Sequence, residues 1–463
     1  MANARLSLEA FVDSQPLSRA QIRIGVLCFL AVLLDGFDSI LVGYLAPAIK
    51  TEWGLTPPQL APLFGSGVFG LMVGAMAIGP FADRFGRKTI LIASVAVFGL
   101  LTLAASLATS MPVFIALRFF AGLGLGATMP CAITLTSEYC PRRHRSLMVT
   151  TMFCGFTAGA AISGLAAAWI VSDFGWRAVL VAGGMLPILF LPALLLGIPE
   201  SLRFLSLRDD AGARIARIAS RLFPHADIDA VDLATHPDTR RRFPVADLLA
   251  RDVRHGTVLI WVVYFANLLV LLFLNSWLPT LLTNLGMTMV RAAAFTSTFQ
   301  IGGALGSIGL GYLMDRWSPC RVLAVSFGVG VLALLAAGHV GTEAIVLLPL
   351  MFAIGVGTGG AQTGAHVVTS SFYRTSSRAT GMSWALGIGR IGSVIGSMAG
   401  GYLLGLHWSA SAIWSLLAGV LLVAAWGAAR LIPLMRHAAL ASAADEQDAR
   451  EHASLSTPRR QSD

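Results

Sequence analysis

The sequence predicts an all-α polytopic membrane protein, with twelve transmembrane helices in two pseudo-symmetric six-helix bundles. Three observations carry that reading. Only 12% of the 463 residues are charged and 56% are hydrophobic, where a soluble domain carries about 25% charged residues. Apolar runs fit to cross a bilayer recur near 24–46, 60–82, 89–108, 111–138, 147–170, 176–197, 257–282, 292–314, 321–339, 343–368, 379–404 and 409–433. One motif also returns at a fixed offset. Gly79, Asp83 and Arg84 of GPFADRFGRKTIL (79–91) match Gly311, Asp315 and Arg316 of GYLMDRWSPCRVL (311–323), 232 residues on. Trp176 and Trp408 are also 232 apart, and Tyr139 and Tyr373 are 234 apart. Echoes at one offset predict a parallel repeat with a binding site between its halves.

Taken in order, residues 1–23 form a polar cytoplasmic N-terminus without the separate apolar core and cleavage site of a signal peptide. The first bundle is expected over 24–197. KTEWGLTPPQL (50–60) restarts a helix after the first span, and GPFADRFGRKTIL makes a tight turn between the second and third. Residues 198–256 form a cytoplasmic linker, in which ARIARIASRLF (213–223) has the pattern of a short amphipathic surface helix. The second bundle covers 257–433, and 434–463 is a polar cytoplasmic tail expected to lack structure.

The net charge of +9 reflects topology rather than a nucleic-acid partner. With the N-terminus inside, only Lys50, Arg177 and Arg291 lie on the outer side, and Arg118 and Arg390 lie within spans. The remaining 28 of 33 lysines and arginines then face the cytoplasm, as the positive-inside rule requires. The five cysteines show no metal-ligand spacing. No phosphate loop or nucleophile–base pair is present either, so an ATP-driven pump, an enzyme, a metal and a cofactor are not expected.

GPFADRFGRK, RFFAGLGLGATMP (118–130) and PESLRFL (199–205) resemble the major facilitator superfamily over 24–433. Within it, DGFD (35–38), SEYCPRRHR (137–145) and YRTSSRATGMSWALGIGRIGS (373–393) look like the aromatic acid:H⁺ symporter family. That resemblance implies a bacterial inner-membrane protein with both termini cytoplasmic, working as a monomer. It would import an aromatic carboxylate, such as a benzoate or hydroxybenzoate, together with protons for catabolism. It also implies a gating role for Gly79, Asp83, Arg84, Gly86 and Arg87, for their counterparts Asp315 and Arg316, and for Arg378. Arg374 departs from the family, where proline often follows the tyrosine.

The charged residues inside spans carry the expected chemistry. Asp35 and Asp38 share one helix face at membrane depth, where an ionisable group costs at least ~2.5–3.5 kcal/mol, so they need a partner or a task. Asp38 lies roughly 13 Å below the outer end of its helix, and Arg118 roughly 10 Å below the outer end of the fourth. Arg118 is therefore the expected partner of Asp35 or Asp38, and the resemblance places it in the coupling region. Glu138 lies at the cytoplasmic end of the same helix, about 30 Å from Arg118, where it contacts the following RRHR as a gate or proton exit, or is an ordinary solvated helix end. Arg390 sits in GIGRIG near the midplane, where its planar fork suits a substrate carboxylate, or Asp35 or Asp38 across the halves. Trp261, Tyr264 and Asn275 on one stripe, with Gln300, His366 and Trp384, are the candidate walls of a ring pocket. His366 is also a candidate proton relay. Rival readings on the same scaffold are an exporter, a porter for a sugar or other organic acid, and a sensor that binds the acid without transport.

Overall fold

The computed structural model describes residues 16–206, 253–340, 343–373 and 378–455, together with scattered positions of the N-terminal and linker segments. Each of the twelve apolar runs falls on helix: α1 Arg19–Trp53, α2 Pro57–Phe85, α3 Arg87–Ala105, α4 Met111–Tyr139, α5 (142–174), α6 (176–197), α7 Arg254–Asn284, α8 Met289–Arg316, α9 Pro319–Ala337, α10 (344–372), α11 Arg378–Gly405 and α12 Ala410–Leu455. The stretch Arg142–Gly197 divides into α5 and α6 at Gly175, whose φ of 77° breaks the helix. A π-helical turn, Val356–Gly360, interrupts α10. Nine helical stretches among the described residues are long and apolar enough to cross a membrane. One of them, Cys154–Gly197, holds both α5 and α6, while α8 and α11 are of spanning length but richer in glycine, serine and threonine.

Local chemistry sets the helix ends. Ser18 and Gln21 form a capping box at the start of α1, and the Gln21 amide donates to the Tyr139 carbonyl at 2.6 Å. Two prolines open α2. Gly86, at φ 101°, turns α2 directly into α3, a backbone conformation that disfavours any residue with a Cβ. At the other end of the chain α12 continues to Leu455, where the sequence predicts a structureless tail. The alanine-rich composition of 438–455 explains the difference, since alanine and its long-chain polar companions favour helix. Most of the amphipathic stretch 213–223 lies outside the described residues.

Within the first half α1 lies along α5 and α6, α2 against α4, and α3 against α4 and α6. Within the second, α7 packs on α11 and α12, α8 on α10, and α9 on α12. Between halves, Gly43 of α1 meets the Asn275 backbone of α7, Gly401 of α11 meets Pro57 of α2, and Ser297 of α8 donates to the Ala161 carbonyl of α5 at 3.2 Å. All three contacts lie in the part of each helix nearer Trp53. The halves are thus clasped at the Trp53 end. There Trp53 packs edge-on against Phe114 and Trp176, and Glu52 accepts from Trp176 Nε1 at 2.6 Å and pairs with Arg177.

The α1–α5 seam depends on backbone contact. A Cβ on Gly159 would collide with the Leu33 carbonyl, whereas one on Gly328 would meet nothing within 4 Å. Gly159→Leu should therefore lower the thermal denaturation midpoint in detergent clearly, by the 1–3 kcal/mol or more that overpacking costs. Gly328→Leu should denature as the wild type does.

Candidate functional site

The α1 sequence puts Asp38 on the face that meets α3 and α4, and there it is completely enclosed. Arg118, itself 3% exposed, binds it as a fork: Nη2 to Oδ2 at 2.8 Å and Nη1 to Oδ1 at 3.2 Å. Nη2 also reaches the Asp38 carbonyl at 3.1 Å. Thr102 of α3 donates to Oδ1 at 2.6 Å and accepts from Arg118 Nη1 at 3.0 Å. Both charges are paired and hydrogen-bonded, which is the condition for keeping them in an apolar interior. The sequence left Asp35 and Asp38 as alternatives for Arg118; in the structure the partner is Asp38. Thr102, which completes the cluster, was not singled out from the sequence, because threonine in a span carries no charge signal.

Asp35 is equally buried but differently held. Its hydrogen bond among the described residues comes from Ser39 on the next turn, at 3.1 Å. Its charged neighbours are Asp38 and, across the interface, Arg390. Arg390 donates through Nη1 to the Leu71 carbonyl of α2 at 3.2 Å, which leaves most of its five donors unengaged by the described residues. A carboxylate and a guanidinium thus sit near each other at the middle of their helices, on opposite halves, without closing an ion pair.

The six candidate pocket residues do not form one wall. Trp261 stacks on Trp384, with ring centroids 5.9 Å apart. Tyr264 Oη lies 2.7 Å from His366 Nδ1. Gly389 abuts Tyr264, which puts the Tyr264 pair at the Arg390 level of α11, and the tryptophan pair lies roughly 5–9 Å nearer the start of both helices. Asn275 instead accepts from Gln300 Nε2 at 3.0 Å, beside the Gly43 contact. Eleven residues of helix separate Tyr264 from Asn275, roughly 16 Å. A shared stripe fixes a common face but not a common depth, so Asn275 and Gln300 belong to the clasp region.

The family model described as Major Facilitator Superfamily matches residues 28–336 and 260–461. The chain belongs to the major facilitator superfamily. It is 41% identical to a gallate transporter of Pseudomonas putida, over 87% of this chain and 90% of that one. It is 40% identical to the 4-hydroxybenzoate transporter PcaK of the same organism, over 87% and 91%. Among solved structures it resembles the inward-open conformation of the xylose transporter XylE from E. coli, with a TM-score of 0.73, 16% identity, and coverage of 89% of this chain and 96% of that one. That last likeness concerns the fold alone. The superfamily is one of transporters, and the chain is not an enzyme.

In this superfamily member the α2–α3 turn is held by an acid that the sequence reading gave no role. Glu200 Oε1 accepts from the Lys88 amide at 3.0 Å and Oε2 from Thr89 Oγ1 at 3.3 Å, placing a carboxylate on the first turn of α3. Glu138 lies 3.4 Å from Arg87, and both are bonded to Ser201. Tyr139 donates to the Glu200 carbonyl. The expectation for Glu138 centred on the RRHR that follows it; the structure adds Arg87 and Ser201 as partners. Arg84 lies over the Phe85 ring at 5.5 Å and Arg316 over Tyr312 at 4.3 Å, with Asp315 exposed beside it. Gly79 lies within α2, and the side chains of Asp83 and Arg378 lie outside the described residues.

Proposed function

We propose that the chain is a proton-coupled secondary transporter that imports an aromatic carboxylate by alternating access. The observation that carries the reading is Arg390, a permanently charged fork near the middle of its helix, most of whose donors no described residue engages, with Tyr264 against the adjacent Gly389 and the Trp261–Trp384 pair within two turns. The gallate and 4-hydroxybenzoate relatives support a substrate with a carboxylate and a ring. Asp38 is locked by Arg118, so Asp35, tied among the described residues through Ser39, is the carboxylate free to exchange a proton, with Arg118 holding the helix register and Glu138 at the far end of α4. Energetics favour coupling. An anion entering an inside-negative cell works against ~2.3 kcal/mol per 100 mV, and one proton per anion removes that cost.

On this reading twelve spans form bundles over 24–197 and 257–433, joined by the 198–256 linker, in the bacterial inner membrane. Both termini are cytoplasmic, the unit is a monomer, and the Gly86 turn with its 311–316 counterpart gates the inner side. The Trp53 clasp then closes the outer side, so the conformation faces inward. Radiolabelled 4-hydroxybenzoate uptake into cells tests the reading. Accumulation above the outside concentration, abolished by a protonophore, is expected. Binding without accumulation would instead identify a sensor.

A further inference from the structure

Arg390 accounts for the carboxylate of an aromatic acid and leaves open what reads the other edge of the ring. The polar groups of α7 and α10 supply a candidate. The two helices are antiparallel neighbours, and their polar side chains meet in two rungs. Tyr264 pairs with His366, and one turn away Asn267 Nδ2 donates to Gln362 Oε1 at 2.7 Å and to the Thr358 carbonyl at 3.2 Å. Asn267 is fully buried and Gln362 is half-exposed. Thr358 belongs to the π-helical turn Val356–Gly360. The extra residue of such a turn shifts the following face of the helix, and π-turns recur at functional sites for that reason.

Up to Ser370, the half-exposed residues after the turn are Gln362, Thr363, His366, Val367 and Ser370. They recur at three- and four-residue spacing and so form one stripe. Four of the five are polar, which suits a water-filled cavity and not lipid. With Gln362 Oε1 turned back onto Asn267, the two N–H donors of the amide nitrogen are not used in that bond. No described residue accepts from them.

We infer that Gln362 is the specificity residue for a ring substituent, donating from Nε2 to the oxygen of a hydroxyl on the bound aromatic acid. Asn267 is its positioning residue: it fixes which end of the amide faces the cavity, and the carbonyl of the π-turn anchors Asn267 in turn. The inference rests on the proposed function and adds a substrate class, ring-hydroxylated over unsubstituted acids. A site built to bond a hydroxyl penalises an analogue that lacks it, because a polar group is then left unpaired.

The test is competition in intact cells: inhibition of labelled 4-hydroxybenzoate uptake by unlabelled 4-hydroxybenzoate and 3-hydroxybenzoate against benzoate. The wild type should prefer at least one hydroxylated acid. Gln362→Met, similar in length but without the amide, should reduce that preference roughly tenfold, the scale of one hydrogen bond. Benzoate affinity should change little. Asn267→Leu should reduce the same ratio while leaving Gln362 in place; a buried site can fail to fold, so the half-exposed Gln362→Met carries the decision. An unchanged ratio in Gln362→Met, with uptake intact, overturns the inference. So does a wild type that takes up benzoate and the hydroxybenzoates equally well. A wild type that takes up no aromatic acid would instead refute the transport reading itself.

Discussion

Arg118→Gln is expected to cost the folded protein a large share of its stability, and a second change, Asp38→Asn, is expected to restore it. Asp38 has no exposure to solvent, and its two oxygens are satisfied by Arg118 and Thr102 alone among the described residues. Removing the guanidinium leaves a carboxylate enclosed between α1, α3 and α4 with one threonine hydroxyl. Breaking a buried pair from one side costs about 3–5 kcal/mol, much of the 5–15 kcal/mol by which folded proteins are typically stable. The double variant is neutral and keeps hydrogen-bonding groups at both positions, so the uncompensated charge disappears. Thermal denaturation in detergent of the two single variants and the double variant measures this directly. If Arg118→Gln alone melts as the wild type does, the pair is not what holds these helices in register. Transport should not return with stability, because the neutral pair no longer places a charge beside Asp35.

Arg390 carries the second large effect. Lysine preserves the charge and loses the planar fork, so Arg390→Lys should weaken binding of an aromatic acid roughly ten- to a hundredfold, the 1.5–3 kcal/mol of a hydrogen bond to a charged group. Arg390→Ala should be worse. Comparing a good aromatic acid with its uncharged amide isolates the contact. The wild type should prefer the acid strongly, and Arg390→Ala should lose most of that preference. If the alanine variant separates acid from amide as well as the wild type does, the carboxylate is anchored elsewhere, and Arg118 is the next group to test.

Much of this arrangement was legible in the sequence, for reasons that differ from residue to residue. The helices follow from composition, because a bilayer leaves a long apolar run few alternatives. Arg118 and Asp38 could be matched by counting residues from the helix ends, since 1.5 Å per residue converts position into depth. The same counting separates Asn275 from Tyr264, a separation that the shared stripe concealed. Gln362 and Asn267 were not legible. They are uncharged, stand 95 positions apart, and meet just after a π-turn in α10 that the sequence does not announce. Glu200 was hidden differently: its role depends on the chain after α6 returning to the first turn of α3, and nothing in PESLRFL specifies that path.

The central claim, that aromatic-acid movement is tied to protons through the paired helices at mid-membrane, has a direct measurement. Purified protein is reconstituted into liposomes with an alkaline lumen, placed in acidic medium with labelled 4-hydroxybenzoate, and compared with liposomes lacking the pH gradient. Empty liposomes subtract passive entry of the neutral acid, and counterflow without a gradient reports cycling alone. The wild type should show protein-dependent accumulation only with the gradient. Asp35→Asn should abolish that accumulation while retaining counterflow. Gradient-driven accumulation by Asp35→Asn equal to that of the wild type would contradict the account, because the proton would then travel by another group.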